Sequence, residues 1–205
     1  MIVVGLTGSV GTGKSTVAGI FRELGAYTVD WDELARKAVD KHSKAWGEIV
    51  ECFGDEFLNE DQTLNRRKLA DMVFADEDKR ARLNQIVHPQ VIEEDERITE
   101  DIKRLDPDAI IIKDIPLLHE AALPIVVDKT IVVYASEDAQ LRRLEARGMS
   151  AEDARRRIAS QLPLDEKVKS ADFVIDNDGS LEDTRRQVER VYSLLRTDSR
   201  RAKQS

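Results

Sequence analysis

The sequence predicts an α/β fold in which a doubly wound, five-stranded parallel sheet carries a helical insertion and a small helical lid. Three observations support this prediction. A short, β-prone apolar run over residues 2–6 leads into a glycine-rich loop and then into a helical pattern. Four further β-prone runs alternate with helical patterns, as is typical of parallel sheets. Residues 41–105 show apolar side chains only at helical intervals.

Length and charge limit the number of domains and the kinds of partner. The 205 residues suffice for one α/β domain with one small inserted subdomain. The net charge of −8 argues against nucleic acid and anionic membranes as partners, because both demand a basic surface. We therefore predict a single domain over residues 1–196, with its core at 1–40, 106–141 and 166–196, the insertion at 41–105, the lid at 142–165 and a disordered tail at 197–205.

Cysteine, histidine and hydropathy patterns exclude further classes. The single Cys52 allows no internal disulfide and is most simply a small core residue, and the three histidines show no zinc spacing. No apolar run approaches the ~18 residues of a membrane span, and no basic segment precedes the first strand. The expected location is the cytoplasm, with no membrane partner.

The loop after the first strand carries the clearest chemistry. Its sequence, Gly8-x-x-x-x-Gly13-Lys14-Ser15, is the complete P-loop pattern. Glycines at 8, 11 and 13 allow a tight turn whose N–H groups cradle phosphates at a helix N-terminus. Lys14 would reach the outer phosphates and the Ser15 hydroxyl would bind Mg²⁺, which indicates ATP or GTP with magnesium. Thr12 and Thr16 complete the predicted nucleotide contacts.

The next elements form one βαβ unit. The helix over residues 15–24 presents Val17, Ile20, Phe21 and Leu24 on one face, and Gly25 follows where a C-terminal cap belongs. The strand over residues 26–30 places Asp30 and Asp32 at its carboxyl end, where ligands bind in open α/β sheets. These carboxylates would lie next to the P-loop if the second strand neighbours the first. Another helix is predicted from Glu33 to Val39.

The insertion shows three helical faces, around residues 49–53, 69–74 and 83–87. His88-Pro89 interrupts the third face. Because proline disfavours a helical residue before it and removes one N–H donor, we expect a kink or a restart of the helix there.

Strands resume at residues 109–114, 129–135 and 172–176. Asp114 ends the third strand and is a candidate second-shell ligand of Mg²⁺, although an acidic residue at that place is as often a helix cap or a loop residue.

An arginine-rich stretch follows the fourth strand in this otherwise acidic chain. Ser150-Ala-Glu-Asp153 resembles a capping box, which indicates two short helices with a turn at residues 148–149. The arginines could be solvated charge paired with nearby carboxylates. For Arg143 and one residue of 155–157 we favour a lid function, in which they neutralise a transferring phosphoryl group.

Together these residues resemble the dephospho-coenzyme A kinase family, within the P-loop nucleoside-kinase group. The resemblance covers nearly the whole chain, and the ordered set of motifs is more specific than any one of them. The motifs are Gly5-Leu-Thr-Gly8, Gly13-Lys-Ser-Thr16, Val29-Asp-Trp-Asp32, Leu34-Ala-Arg36, Val87-His-Pro89, Ile115-Pro-Leu-Leu118 with Glu120, Gln140-Leu-Arg-Arg143, Gln161 and Ala171-Asp-Phe-Val-Ile-Asp-Asn177.

The resemblance implies phosphorylation of the ribose 3′-hydroxyl of dephospho-coenzyme A by ATP and Mg²⁺, the last step of coenzyme A synthesis. It implies that Asp32 is the base, that Arg143 belongs to the lid and that Asn177 lies by the adenine. The same resemblance implies an acceptor pocket in the helical insertion and around it, formed by Thr7, Asp32, Arg36, His88, Pro116 and Leu117.

Two residues depart from the family pattern. Ser9 stands where a second glycine is usual, which is tolerable if its φ is negative, and Trp31 stands where alanine is usual. The large ring of Trp31 would either narrow the acceptor pocket or pack away from it.

Two other functions remain open at this point. A regulatory GTPase would share the P-loop, but the guanine-reading pattern Asn-Lys-x-Asp is absent from the sequence. A kinase acting on another small molecule, such as a nucleoside monophosphate or shikimate, is the closer alternative. The sequence leaves the oligomeric state undetermined.

Overall fold

The computed structural model describes residues 1–116, 118 and 125–201, with only the backbone for 200 and 201. The chain divides into two compact units. The first contains Met1–Asp30 and Thr99–Ser205, and the second contains Trp31–Ile98. The helical unit therefore begins with the helix that follows the second strand, rather than after that helix as the sequence suggested.

A parallel sheet forms the centre of the first unit. Within the described residues it has five strands, β1 Ile2–Thr7, β2 Tyr27–Asp30, β3 Ile110–Asp114, β4 Lys129–Tyr134 and β5 Phe173–Asp176, in the order β2-β3-β1-β4-β5. Every pairing is parallel, which confirms the predicted fold class. The second strand does not neighbour the first, because β3 lies between β1 and β2. The condition for placing Asp30 and Asp32 next to the P-loop is therefore not met.

Helices connect the strands. In chain order the described residues contain α1 Lys14–Glu23, α2 Trp31–Ala38, α3 Lys44–Phe53, α4 Arg66–Ala75, α5 Glu77–Leu105, α6 Glu137–Ala146, α7 Ala151–Ala159, α8 Leu164–Lys169 and α9 Leu181–Arg201. A 3₁₀ turn, Asp55–Phe57, follows α3. No helix among them is both long and apolar enough to cross a membrane.

One core cluster of the first unit lies on one face of the sheet. Val4, Leu6, Ile112 and Ile131 are buried there, with Phe21 of α1 packed against them. Burial of a side chain of this size stabilises the fold by about 1.5–3 kcal/mol. This core fixes the direction of β1, and therefore of the loop that follows it.

Helix α9 contributes to the same core and extends further than predicted. Val188, Val191, Leu195 and Ser199 recur at helical spacing, and all four are buried. The Ser199 hydroxyl also donates to the carbonyl of Asp108 at 3.2 Å. The prediction of a disordered tail from Thr197 is therefore wrong for residues 197–201, whereas residues 202–205 lie outside the described part.

The second unit is helical, as predicted, apart from a single bridge between Leu58 and Leu64. Its core cluster contains the buried residues Ala45, Ile49, Leu64, Leu69 and Ile86. Cys52 is exposed, which corrects its assignment to the core, because α3 turns Ala45 and Ile49 inward instead.

Of the expected kink or restart at Pro89, the restart does not occur, since α5 continues through it as one helix of 29 residues. Proline inside a helix costs about 3 kcal/mol. Ile86 before Pro89 and Val91 and Asp95 after it are all buried. Packing on both sides therefore offsets the lost hydrogen bond.

Candidate active site

The loop between β1 and α1 has the backbone conformation that its glycines predict. Gly11 and Gly13 have φ of 81° and 87°, a region that residues with side chains rarely adopt. A Cβ atom on Gly13 would also lie 2.2 Å from Nδ2 of Asn177. Ser9 is buried and is not among the residues with positive φ, so it occupies the second-glycine position without strain.

The ammonium of Lys14 forms an ion pair with Oδ1 of Asp114. Asp114 ends β3, and its backbone lies beside Leu6 of β1 on one side and Asp30 of β2 on the other. Both side chains of the pair are largely shielded, with 17% and 12% of their surface exposed. An ion pair thus lies at the carboxyl edge of the sheet, on the strand next to the one that ends in Asp30.

The first residues of the lid reach the loop through Arg143. One guanidinium nitrogen, Nη1, donates to the carbonyls of Gly11 at 3.3 Å and Thr12 at 3.1 Å. The other, Nη2, donates to the carbonyl of Asn177. The predicted lid arginine is therefore a direct partner of the loop backbone.

A second contact joins the far end of the lid to the loop. The side-chain carbonyl of Gln161, after α7, accepts from the backbone N–H of Val10 at 2.9 Å. Gln161 entered the sequence analysis only as a family motif. Its partner could not be read from the sequence, because 151 positions separate the two residues.

The segment predicted as a lid contains the two predicted short helices. Helices α6 and α7 are joined by a turn in which Gly148 has a φ of 86°. The Ser150 hydroxyl accepts from the N–H of Asp153 as an N-cap does, and it donates to the Asp153 carboxylate at 2.7 Å, where a capping box would use the backbone N–H of Ser150. The hydroxyl of Ser150 is also the first cause of the lowered pKa of Asp153.

Asn177 follows β5 and is 7% exposed. Its Nδ2 donates to the carbonyl of Thr12 at 2.7 Å, and its Oδ1 accepts from the hydroxyl of Thr184 at 2.8 Å. Thr184 is not among the residues that the sequence predicts for the site. No motif signals it, since it lies inside the otherwise polar first turns of α9.

The predicted acceptor residues fall in both units. Thr7 and Pro116 belong to the first unit, where the Thr7 hydroxyl donates to the Pro116 carbonyl at 3.3 Å. Asp32, Arg36 and His88 belong to the second unit. Leu117, like Glu120 of the same motif, lies outside the described residues.

Asp32 lies inside the first turn of α2, which corrects its placement at the end of the second strand. Asp32 and Arg36 are exposed and are one helical turn apart. His88 of α5 is half-buried, and burial lowers the pKa of its imidazole.

Trp31 packs inside the second unit. Its side chain is buried, and its indole N–H donates to Oδ1 of Asp95, itself 3% exposed, at 3.0 Å. The ring therefore joins the start of α2 to α5, and it is buried rather than packed outward.

The sheet order, the loop and the Lys14–Asp114 pair define a P-loop nucleotide-binding protein of the kinase type. A sequence profile of the dephospho-CoA kinase family matches residues 2–183. The dephospho-CoA kinase of Aquifex aeolicus (strain VF5) is 46% identical over 195 residues, covering 95% of this chain and 98% of the relative. The chain belongs to the dephospho-CoA kinase family, a family of ATP-dependent kinases, as the sequence predicted.

Two solved structures are similar to this chain over nearly its whole length. TT1252 from Thermus thermophilus superimposes with a TM-score of 0.81 at 36% identity, covering 95% of this chain and 97% of that one. The dephospho-CoA kinase from Campylobacter jejuni gives a TM-score of 0.69 at 28% identity, covering 96% and 98% of the two chains.

Proposed function

We propose that this protein transfers the γ-phosphoryl group of ATP to the ribose 3′-hydroxyl of dephospho-coenzyme A, with Asp32, Lys14 and Arg143 as its catalytic residues. The observation that carries the proposal is the convergence of Lys14, Asp114 and the Gly11–Gly13 loop at one edge of the sheet, in a chain of this family. Such an edge is where ligands bind in open α/β sheets.

On this proposal the nucleotide lies on the loop from Gly8 to Thr16. The N–H groups of the loop and the N-terminus of α1 hold the phosphates, and Lys14 contacts the outer ones. Asn177 lies near the adenine. The guanidinium of Arg143 contacts the loop carbonyls of Gly11 and Thr12, and we assign it to the lid.

Magnesium fits the oxygen donors at this edge. The Ser15 hydroxyl and the Asp114 carboxylate are hard ligands, and Mg²⁺ in kinases binds one or two such groups together with phosphates and water. Bound there, the ion would neutralise charge on the β- and γ-phosphates. Lys14 balances the charge of Asp114 from the protein side.

The chemical step requires a base for the acceptor hydroxyl, and we assign that role to Asp32. Its carboxylate accepts the 3′-hydroxyl proton while the 3′-oxygen bonds to the γ-phosphorus. The bond from that phosphorus to the β,γ-bridging oxygen breaks, and ADP leaves. Lys14 and Arg143 stabilise the charge that develops on the phosphoryl oxygens. We assign acceptor binding to Thr7, Arg36, His88, Pro116 and Leu117, as the family resemblance implies.

A panel of acceptors tests this function. Purified protein with Mg²⁺ and ATP is assayed for ADP release with dephospho-coenzyme A, AMP, shikimate or no acceptor. We expect release well above background with dephospho-coenzyme A alone. Equal or faster release with AMP or shikimate would overturn the proposed acceptor.

A further inference from the structure

A chain of buried side chains outside the proposed catalytic groups ends on the phosphate-binding loop. Its first member is Thr184 on α9, whose side chain is fully buried. The hydroxyl of Thr184 donates to Oδ1 of Asn177 at 2.8 Å, and Nδ2 of Asn177 donates to the carbonyl of Thr12 at 2.7 Å. Two hydrogen bonds thus connect a helix to the loop.

The carbonyl of Thr12 matters because of the peptide unit to which it belongs. A trans peptide is planar, so its C=O and N–H point in opposite directions. The carbonyl of Thr12 is held by Asn177 and by Arg143. The N–H of Gly13 must therefore point away from both side chains. Backbone N–H groups of this loop are the donors that cradle nucleotide phosphates.

Thr184 holds the Oδ1 end of the Asn177 amide, while the Thr12 carbonyl, which can only accept, takes the Nδ2 end. Asparagine offers a donor and an acceptor of almost the same shape, and its neighbours select the orientation. The Thr184 hydroxyl has one proton and two acceptors, Oδ1 of Asn177 at 2.8 Å and the carbonyl of Ser180 at 3.2 Å. When the hydroxyl donates to Oδ1 of Asn177, the nearer acceptor, Nδ2 of the same amide stays directed at the carbonyl of Thr12. A rotated amide would set two oxygens against each other there.

We infer that Thr184 is a positioning residue for the nucleotide: acting through Asn177, it fixes the Thr12–Gly13 peptide so that the Gly13 N–H faces the phosphates. Gly13 supports this inference independently. A Cβ at Gly13 would lie 2.2 Å from Nδ2 of Asn177, so the loop needs glycine there for the amide to approach.

A graded set of substitutions at Thr184 tests the inference. Thr184→Ser keeps a hydroxyl donor, Thr184→Cys offers a weak donor, and Thr184→Val keeps the shape with no donor. The dissociation constant of ADP is measured by calorimetry without any acceptor. We expect values near wild type for Ser, an intermediate rise for Cys, and a rise of roughly fivefold to tenfold for Val, as loss of one buried hydrogen bond gives.

Steady-state kinetics separates positioning from stability. The KM for ATP should rise in the same order, while the KM for dephospho-coenzyme A stays unchanged. Equal ADP affinity across the series would overturn the inference, as would parallel changes in both KM values that follow only the melting temperature. If Thr184→Val does not fold, the comparison of Ser with Cys decides between these outcomes.

The inference depends on the nucleotide half of the proposed function alone. A wrong acceptor would leave the ADP series intact. Failure of the wild-type protein to bind ADP would instead overturn both the inference and the nucleotide site.

Discussion

At the scale of single residues, Lys14 and Asp114 show what a motif can and cannot predict. The P-loop pattern predicts the place of Lys14 at the start of α1, and the alternation of strands and helices predicts Asp114 at a strand end. Their ion pair joins residues 100 positions apart. No local pattern encodes that contact, because it depends on β3 lying directly beside β1.

Asp32 is the residue on which the proposed chemistry depends most. We expect Asp32→Asn to reduce turnover with dephospho-coenzyme A by about a hundredfold, since the base is lost while the shape is kept. The KM for ATP and the melting temperature should stay near wild type. Turnover is measured by coupled ADP release.

Glu33→Gln is the matched control for Asp32→Asn. Glu33 shares the first turn of α2 and is exposed, and it pairs with Lys37 at 2.6 Å. Its substitution should leave turnover unchanged. Wild-type turnover in Asp32→Asn would reduce Asp32 to a carboxylate that merely favours the helix N-terminus.

Adjacent arginines in the lid permit a second paired test. Arg143 contacts the loop carbonyls, whereas Arg142 is exposed. We expect Arg143→Ala to lower kcat by about a hundredfold, and by more than it raises the KM for dephospho-coenzyme A, because its cation acts chiefly in the transition state. Arg142→Ala should change both constants little. If steady-state kinetics shows equally small changes in kcat and KM for both variants, both arginines are solvated surface charges without a role in catalysis.

At the scale of elements, local signals predicted the lid well and the long helix of the insertion poorly. Gly148 ends α6 and Ser150 caps α7, and such signals depend on a few neighbouring residues. The course of α5 through Pro89 depends instead on burial of Val91 and Asp95. The sequence gives no sign that this burial outweighs the penalty for proline.

The contact between α2 and α5 gives a prediction for stability. Trp31→Phe keeps an aromatic ring but removes the indole N–H that donates to the buried carboxylate of Asp95. The free energy of unfolding should therefore fall by about 1–3 kcal/mol. Trp46→Phe is the control, because its indole N–H donates to the carbonyl of Gln62 at an exposed site. Chemical denaturation measures both. A loss in Trp46→Phe as large as that in Trp31→Phe would contradict the assigned role of the buried bond.

At the scale of the whole molecule, the sequence predicted the strands and their parallel arrangement but not their order. The apolar runs of β3 and β4, Ile110–Ile112 and Ile131–Val133, are almost alike, and either could have paired with β1. Both do so, one on each side. No residue pattern predicted that β2 lies beyond β3. The neighbouring positions of Asp30 and Asp114 therefore could not be predicted either.

Protonation of His88 should affect the stability of the whole fold. Burial lowers the pKa of its imidazole below the ordinary value of 6.5, so the unfolded chain binds its proton first as the pH falls. This contribution to stability is complete above pH 6.5 and is lost as the pH falls towards the lowered pKa. Wild type should therefore lose more unfolding free energy than His88→Gln between pH 7.5 and 5, measured by urea titration at each pH. Equal losses of unfolding free energy in wild type and in His88→Gln would contradict the effect of burial on the pKa of His88.

The most direct test of the whole account is the identity of the labelled product. ATP carrying ³²P in its γ-phosphate is incubated with the protein, Mg²⁺ and dephospho-coenzyme A, and the products are separated by chromatography. We predict label in coenzyme A that a 3′-nucleotidase removes completely, with regeneration of dephospho-coenzyme A. Label confined to inorganic phosphate, or resistant to the 3′-nucleotidase, would contradict transfer to the ribose 3′-hydroxyl.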